Sequence, residues 1–407
     1  MIGLSQRILP SLVGMARRPP YLIFHTTNVC NLQCPYCFLL DDLNRKQNEL
    51  TLDEIERIAA GYGPMMVLML TGGEPFARKD FAQIPGIFYR HTKPRVISVV
   101  TNGTLGDRVA KGVERIVEEC PRAQITLTFS LDGWGSEHDR TRGAGSFEKT
   151  RSTIRALNEL KARVHNLRTG VNVTVLPEMD VEAATTLSSR LSALGVDSLS
   201  HNLVRGSTRD NAPEGVDLGA YRILGDLFAA FNRRSSSSAD ARRTIGWLAQ
   251  RKDELQRKII EDTYRERRFQ GVTCNAGRDI GVLYSNGIVK PCELLNDSFG
   301  NIRDADYDFT RLWRSAEKKQ SVRRIRRGKC FCTHECFMSS SIALSPQHLL
   351  RAIWYRSCST PVEEGHPSPG HRKPAVETGS ALDTSSVPTP ENTLSSDIKT
   401  GSEVGAR

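Results

Sequence analysis

Apolar runs rich in β-branched residues alternate with helical patterns from residue 21 to residue 205, and this alternation constrains the fold more than any other feature. Repeated strand–helix units predict a parallel sheet with right-handed crossovers, and such a sheet can curl until it closes or nearly closes as a barrel. The loops that follow Thr26, Leu70, Val100 and Ser130 would then share the face that carries the chemistry. The candidate strands are 21–26, 65–70, 95–100, 125–130, 171–175 and 197–204, and the candidate helices include 52–60, 148–163 and 181–194.

The chain changes character after residue 205. A charged helix is predicted over 244–268, and Ser285-Asn286-Gly287 between two short apolar runs predicts a β-hairpin. The predicted fold class is α/β, a partial (β/α)6 TIM-type barrel with a smaller C-terminal cysteine-rich α+β extension and a disordered tail. The predicted segments are an N-terminal piece (1–20), the barrel (21–205), linker helices with the cysteine-rich extension (206–358) and the tail (359–407).

The tail has the composition of a segment that does not fold. Residues 359–407 are rich in Ser, Thr, Pro and Gly, contain no aromatic residue and cannot bury enough apolar surface to offset the entropy of ordering. They hold four basic and seven acidic residues, so the tail carries −3 and the preceding chain +13 of the net charge of +10. Such a balance favours an anionic partner, although a basic surface also serves plain solubility.

The sequence also bears on the compartment. No run approaches about 18 apolar residues, so no membrane-spanning helix is predicted. Residues 8–15 are apolar, but Pro10 lies within them and basic residues follow, which does not resemble a secretory signal. The ten cysteines are clustered and too sparse for a disulfide scaffold, so they predict metal binding in a reducing compartment. We therefore expect a cytoplasmic protein.

Three cysteines, Cys30, Cys34 and Cys37, follow the first candidate strand within eight residues. Structural zinc normally takes four protein ligands, and the fourth is missing from this loop. A [4Fe–4S] cluster has four irons, so three cysteines leave one iron open to a ligand that reacts. The spacing alone leaves a zinc knuckle as the alternative.

Together with its neighbouring motifs, this cysteine spacing resembles the radical S-adenosylmethionine (SAM) superfamily, with the aromatic Tyr36 before the last cysteine. Thr71-Gly72-Gly73-Glu74-Pro75 resembles the GGE motif of that family. Other segments resemble its TNG, SLDG and HDxxRG motifs; they are Thr101-Asn102-Gly103, Ser130-Leu131-Asp132-Gly133 and His138-Asp139-x-x-Arg142-Gly143.

The resemblance implies how SAM is held. The backbone of Gly72 and Gly73 and the carboxylate of Glu74 would bind its ammonium group. Ser130 and Arg142 would face its carboxylate or ribose, and Tyr36 would lie near its adenine. The residues alone leave other roles open: Asn102 and Asp132 are typical turn formers, Arg142 is typical of a surface and Tyr36 of packing around a cluster.

Five more cysteines lie in the extension: Cys274, Cys292, Cys330, Cys332 and Cys336. The spacing Cys274-x12-Gly287-x4-Cys292 resembles the SPASM/twitch extension, which carries auxiliary iron–sulfur clusters. Five cysteines exceed one cluster and fall short of two, so the resemblance implies one auxiliary [4Fe–4S] cluster. Cys274, Cys292 and Cys336 are its expected ligands, Cys330 and Cys332 compete for the fourth place, and Cys358 is a spare. A four-thiolate zinc site remains the alternative, in which His334 could be a ligand.

The resemblance implies an enzyme that reductively cleaves SAM to a 5′-deoxyadenosyl radical, which then abstracts hydrogen from a peptide, a protein or a small molecule. It also implies an electron donor such as flavodoxin or ferredoxin. The sequence identifies no catalytic acid or base. The competing hypothesis is a non-enzymatic zinc- or iron–sulfur-binding adaptor with a basic surface for nucleic acid, but we expect nucleic acid not to be the partner.

Overall fold

The computed structural model describes residues 18–205, 215–235 and 240–355. The predicted tail (359–407), Cys358 at the end of the predicted extension, and the N-terminal piece before residue 18 lie outside the described residues. None of the helices in the described ranges is long and apolar enough to cross a membrane.

Nine strands in the described ranges form one sheet, in the order β6-β5-β4-β3-β2-β1-β7-β8-β9. Strands β1 to β6 are parallel, and each pairs with the next in sequence, so the predicted α/β class with a parallel core is confirmed. The strands are β1 (Tyr21–His25), β2 (Val67–Thr71), β3 (Val96–Thr101), β4 (Gln124–Ser130), β5 (Leu167–Val175), β6 (Ser198–Leu203), β7 (Ile280–Leu283), β8 (Ile288–Lys290) and β9 (Gly300–Asn301).

Helices connect the parallel strands. They are α1 (Leu52–Tyr62), α2 (Ile84–Thr92), α3 (Gly106–Glu119), α4 (Ser136–Arg142), α5 (Ser146–Lys161), α6 (Val181–Ser192) and α7 (Leu218–Ser235). The extension adds α8 (Asp240–Glu266), α9 (Phe309–Trp313), α10 (Ala316–Arg327), α11 (Glu335–Ala343) and α12 (Pro346–Trp354). The predicted helix at Thr51 has its capping box: the Thr51 hydroxyl accepts from Glu54 N at 3.3 Å, and the Glu54 carboxylate accepts from Thr51 N at 2.8 Å.

The two faces of the sheet differ because side chains alternate along a strand. On β4, Ile125, Leu127 and Phe129 are fully buried and join the core formed with the helices. The alternate residues Thr126, Thr128 and Ser130 are half-buried. The sheet therefore has an apolar face under the helices and a second face with polar, partly accessible side chains.

The predicted hairpin is present, but its place in the fold was not foreseen. β7 pairs in parallel with β1, from Tyr21 opposite Ile280 to Phe24 opposite Leu283, and β8 then pairs antiparallel with β7. Gly287 turns the hairpin with φ +88°, a conformation that glycine adopts without strain. The hairpin thus extends the barrel sheet beyond β1, and it brings the segment after β8 next to the loop after β1.

Candidate active site

The loop after β1 carries Cys30, Cys34 and Cys37, and polar side chains fix its course. The Asn44 side chain accepts from Cys30 N at 2.9 Å and donates to Cys30 O at 3.1 Å. The Asn28 amide donates to the carbonyls of Asp42 and Arg45 at 2.8 and 2.7 Å. These side chains supply hydrogen-bond partners for backbone groups of a loop that has no regular structure.

The three thiols share an electrostatic environment. Burial raises the pKa of Cys30 to about 11 and also raises the pKa of Cys34 and Cys37, while the guanidinium of Arg142 opposes the rise at the latter two. Metal binding requires thiolates, so loading this loop with metal would release protons, and Arg142 would favour the charged form. Within the described ranges, no group of three or more His, Cys, Asp or Glu side chains is arranged around one metal-ion position.

Gly72 and Gly73 lie where the loop of Cys30 crosses the end of β2. A Cβ on Gly72, whose φ is +144°, would come within 2.3 Å of Thr27 O, and one on Gly73 within 2.4 Å of Val29 O. Gly73 N donates to Thr27 O at 2.9 Å, and Glu74 N donates to Val29 O at 2.8 Å. These glycines are required by the close approach of the cysteine loop to the strand end.

Glu74 is buried directly beneath this contact. Its Oε1 accepts from the Thr101 hydroxyl at 2.8 Å and its Oε2 from Asn102 N at 2.8 Å. Burial raises the pKa of Glu74 to about 7, although these hydrogen bonds oppose the rise. Glu74 therefore joins the GGE segment after β2 to the TNG segment after β3.

Tyr36, Asp132 and Arg142 form a buried cluster beside Cys34. Asp132 Oδ2 accepts from Arg142 Nε at 2.5 Å and from the Tyr36 hydroxyl, and Asp132 Oδ1 accepts from Thr174 N at 2.8 Å. Burial acts to raise the pKa of Asp132, but the charge of Arg142 and the hydrogen bonds from Arg142, Tyr36 and Thr174 together hold the pKa below the usual value. The guanidinium of Arg142 also lies 5.7 Å from the centre of the Tyr36 ring.

The sequence pattern missed the role of Asp132, because an Asp before Gly at a strand end is typical of a turn. Ser130, two residues earlier, is half-buried on the polar face, opposite Asn172 of β5. Asn172 contacts Asn202, and the Ser200 hydroxyl donates to Asn172 Oδ1 at 3.0 Å. β4, β5 and β6 therefore present uncharged hydrogen-bonding groups side by side on the polar face of the sheet.

In the extension, the thiols of four further cysteines are near enough to influence one another electrostatically. Cys274 interacts electrostatically with Cys292, Cys330 and Cys332, and Cys292 does so with the last two. Burial raises the pKa of Cys292 and of Cys332 to about 12.

Cys336, a ligand expected from the sequence, has different principal neighbours. Its thiol interacts most strongly with Glu293, Arg205, Glu335 and Tyr21. It still packs against the same small apolar cluster as Cys292.

A buried polar chain connects the two cysteine-bearing segments. His25, at the end of β1, lies 2.9 Å from Glu293 Oε1, and His334 Nε2 lies 2.5 Å from Glu293 Oε2. Arg205, after β6, extends the chain from His334 to Glu335 at 3.3 and 3.5 Å. Glu293 follows Cys292, and His334 lies between Cys332 and Cys336, so this chain ties the extension to the end of β1. The sequence carried no local signal for it because its members are far apart in the chain.

Known proteins resemble this chain over the same regions. Residues 24–188 match the family model of the radical SAM superfamily. An AdoMet-dependent heme synthase of Methanosarcina barkeri is 26% identical over 330 residues, which cover 78% of this chain and 89% of that protein. The antilisterial bacteriocin subtilosin biosynthesis protein AlbA of Bacillus subtilis is 25% identical, over 71% of this chain and 59% of its own length.

Two solved structures share the fold at a TM-score of 0.54 and 17% identity. One is Streptococcus suis SuiB bound to S-adenosylmethionine, with 75% of this chain and 68% of that chain covered. The other is anSMEcpe with bound AdoMet, with 82% and 94% covered. These likenesses favour an enzyme over a non-enzymatic adaptor, and the cofactors of the family are a [4Fe–4S] cluster and SAM. The match over residues 24–188, together with these relatives, supports a radical SAM enzyme.

Proposed function

We propose that Cys30, Cys34 and Cys37 hold the [4Fe–4S] cluster and that the enzyme abstracts hydrogen from a substrate bound on the polar face of the sheet. The observation that carries the proposal is a loop with three thiols, packed through Gly72 and Gly73 onto the carboxyl end of β2. The donor set fits, because three thiolates leave one iron of the cluster for SAM. When bound, the cluster and SAM supply the electron and the carbon radical that removes the hydrogen atom.

The residues of the chain orient SAM. Arg142 uses Nε for Asp132, which leaves the terminal amino groups of its guanidinium for the SAM carboxylate. The Gly72–Gly73 backbone with Glu74 would bind the SAM ammonium group, Tyr36 would lie against the adenine and Ser130 near the ribose. The Asp132 carboxylate holds both Tyr36 and Arg142, so the SAM contacts are positioned before SAM binds.

We propose a twitch-like extension with one auxiliary [4Fe–4S] cluster, whose ligands are Cys274, Cys292, Cys330 and Cys332. The mutual electrostatic interactions of these four thiols support this set. Cys336 competes with Cys332 for one place in this set, because the sequence pattern favours it and its side chain packs against the same apolar cluster as Cys274, Cys292 and Cys330. The cluster would then have four protein ligands, which suits electron transfer or substrate orientation better than binding a reactive ligand.

Cys332→Ser and Cys336→Ser separate these ligand sets. After anaerobic reconstitution, we expect the wild type and Cys336→Ser to hold about eight irons per chain and Cys332→Ser about four, because a cube contains four irons. Iron and sulfide analysis with electron paramagnetic resonance of the reduced proteins measures this. Loss of the auxiliary signal in Cys336→Ser, together with its retention in Cys332→Ser, would contradict the proposed set.

The polar face favours a peptide as the substrate. Thr128, Ser130, Asn172, Ser200 and Asn202 offer uncharged donors and acceptors, which suit the amide groups of a peptide backbone. The subtilosin biosynthesis protein is a relative of this chain, and SuiB, which shares the fold, has been solved with its precursor peptide SuiA. A small-molecule cofactor precursor is the second candidate, because the heme synthase matches this chain over most of both lengths.

Anaerobic incubation with SAM, dithionite and a deuterated cell extract tests the function. We expect 5′-deoxyadenosine to form and to gain deuterium from the substrate. Digestion of the extract with protease should remove the label transfer if the substrate is a peptide, and removal of small molecules by dialysis should do so if it is a cofactor precursor. A protein that binds zinc without iron and leaves SAM intact would contradict the proposal. The thiol clusters suit a reducing compartment, so we also propose the cytoplasm as its location.

A further inference from the structure

Helix α10 (Ala316–Arg327) presents a concentrated positive surface in the extension. Its last two turns carry Arg323, Arg324, Arg326 and Arg327, Lys329 follows two residues after the helix, and all five side chains are exposed. Ala316, Gln320, Arg323, Arg324 and Arg327 line an open depression of about 510 Å³. Only Arg324 of this set forms an ion pair with another described residue, Asp297. We call the exposed side chains of 323–329 the basic surface.

The basic surface lies beside a proposed auxiliary-cluster ligand. α10 ends at Arg327, and Cys330 N donates back to Ile325 O at 3.0 Å, so Cys330 is held against the last turn of the same helix. Cys330 is half-buried, as are Cys274 and Cys332, whereas Cys292 is 8% exposed. Because Cys330 follows the last turn of α10, a partner bound at the basic surface would lie beside a proposed cluster ligand.

An exposed array of cations has a cost unless it serves a partner, because like charges on neighbouring turns repel. Arg323 and Arg327 are spaced i, i+4, so their like charges lie on neighbouring turns of the same helix face. Charges of this kind steer an oppositely charged protein and raise its association rate by about 10 to 10³. Electrostatic steering suits a redox partner, which must bind quickly, transfer an electron and leave.

We propose that the basic surface is the docking site of an acidic one-electron donor protein, which reduces the enzyme through the auxiliary cluster at Cys330. This inference rests on the proposed auxiliary cluster and adds the partner and its place of entry. One electron leaves the reduced donor and enters the oxidised cluster, so the donor is oxidised by one electron and the cluster reduced by one. The basic surface supplies binding and orientation, while no residue of it takes part in hydrogen abstraction.

The test compares Arg323→Glu/Arg327→Glu with a matched control, Lys149→Glu/Arg155→Glu. The control changes the same charge at two exposed positions of α5, in the barrel. Photoreduced flavodoxin is mixed anaerobically with each reconstituted full-length protein, and cluster bleaching is followed by stopped-flow absorbance. We expect the basic-surface variant to react at least about 10-fold more slowly than wild type at low salt. The difference should close near 0.5 M salt, where charges are screened, and the control should react like wild type.

Reduction by dithionite separates the failure of this inference from the failure of the proposed function. If dithionite supports SAM cleavage in both variants and flavodoxin reduces both equally fast, the docking site is wrong while the enzyme proposal stands. If dithionite reduces no auxiliary cluster in the wild type, the proposal on which the inference rests fails. If the basic-surface variant loses binding to a fluorescent single-stranded nucleic acid while its reduction by flavodoxin is unchanged, the surface serves nucleic acid and the inference is overturned.

Discussion

Cys34→Ala is expected to abolish SAM cleavage by the reconstituted enzyme, with a fall of more than about 100-fold in 5′-deoxyadenosine formation, while the auxiliary cluster remains. Of the three thiols in the loop after β1, that of Cys34 is the most buried, and it interacts with Cys37 and Arg142. Two remaining thiolates cannot hold a cube with one open iron, so the site that binds SAM is lost. The measurements are iron and sulfide content, electron paramagnetic resonance of the reduced protein, and chromatography of the SAM products.

Cys120→Ala is the matched control. Cys120 is also a buried cysteine of the barrel, but it follows α3 and packs in the apolar core under the helices. We expect this variant to keep both clusters and wild-type SAM cleavage, because losing one sulfur atom from the core removes little apolar area. SAM cleavage that persists in Cys34→Ala, or an auxiliary signal that disappears with it, would show that the thiols are assigned to the wrong cluster.

The barrel was predictable because its signals are local. Each of the six predicted strands overlaps an observed one, and the ends moved by a few residues, as at β5, which begins at Leu167 rather than at residue 171. The capping box at Thr51 and the turn at Gly287 also follow from a few neighbouring residues. Alternation of strand and helix then restricts how consecutive strands can pair.

The pairing of β7 with β1 was not predictable in this way. These strands are separated by more than 250 residues, and only four residues of each take part, so nothing in the local pattern of Ile280–Leu283 names its partner. The contacts of Glu293 with His25 and His334 were not predictable either, because these residues are also far apart in the sequence. The strand pairing and the Glu293 contacts both depend on how the extension packs against the barrel, and this is decided by tertiary contacts rather than by local sequence.

The family resemblance indicated the motifs, but it did not show which residue of a motif binds a ligand and which one supports its neighbours. Gly72 and Gly73 fit a ligand-binding role by sequence, and in the fold they also admit the backbone of Thr27 and Val29 at close range. For Asp132 the sequence suggested only a structural role, that of a turn residue. In the fold it accepts hydrogen bonds from Tyr36, Arg142 and Thr174. The burial of Asp132 distinguishes this role from that of an exposed turn residue, and a single sequence does not reveal burial.

Asp132→Ala is expected to lower the free energy of unfolding by about 3–5 kcal/mol and to weaken SAM binding by at least about 10-fold. The Asp132 side chain is completely buried and pairs with Arg142, which is 12% exposed, so its removal leaves a buried guanidinium without its carboxylate. The Tyr36 hydroxyl and Thr174 N lose their acceptor at the same time. Anaerobic denaturant unfolding and isothermal titration of SAM to the reconstituted protein measure the two effects.

The acid dependence of stability gives an independent check on the same pair. Burial acts to raise the pKa of Asp132, but the Arg142 ion pair and hydrogen bonds lower it below its ordinary value. A carboxyl group whose pKa is lower in the folded state stabilises the fold fully above its unfolded pKa, about 3.9, and loses that contribution as the pH falls through the folded pKa. Wild type and Asp132→Asn should therefore differ most above about pH 4 and converge at lower pH. Glu148→Gln, which breaks the exposed pair with Arg151, should leave stability nearly unchanged over the same range because solvent screens that pair. Equal stability of Asp132→Asn and wild type at neutral pH, with unchanged SAM affinity, would show that Asp132 does not position Arg142.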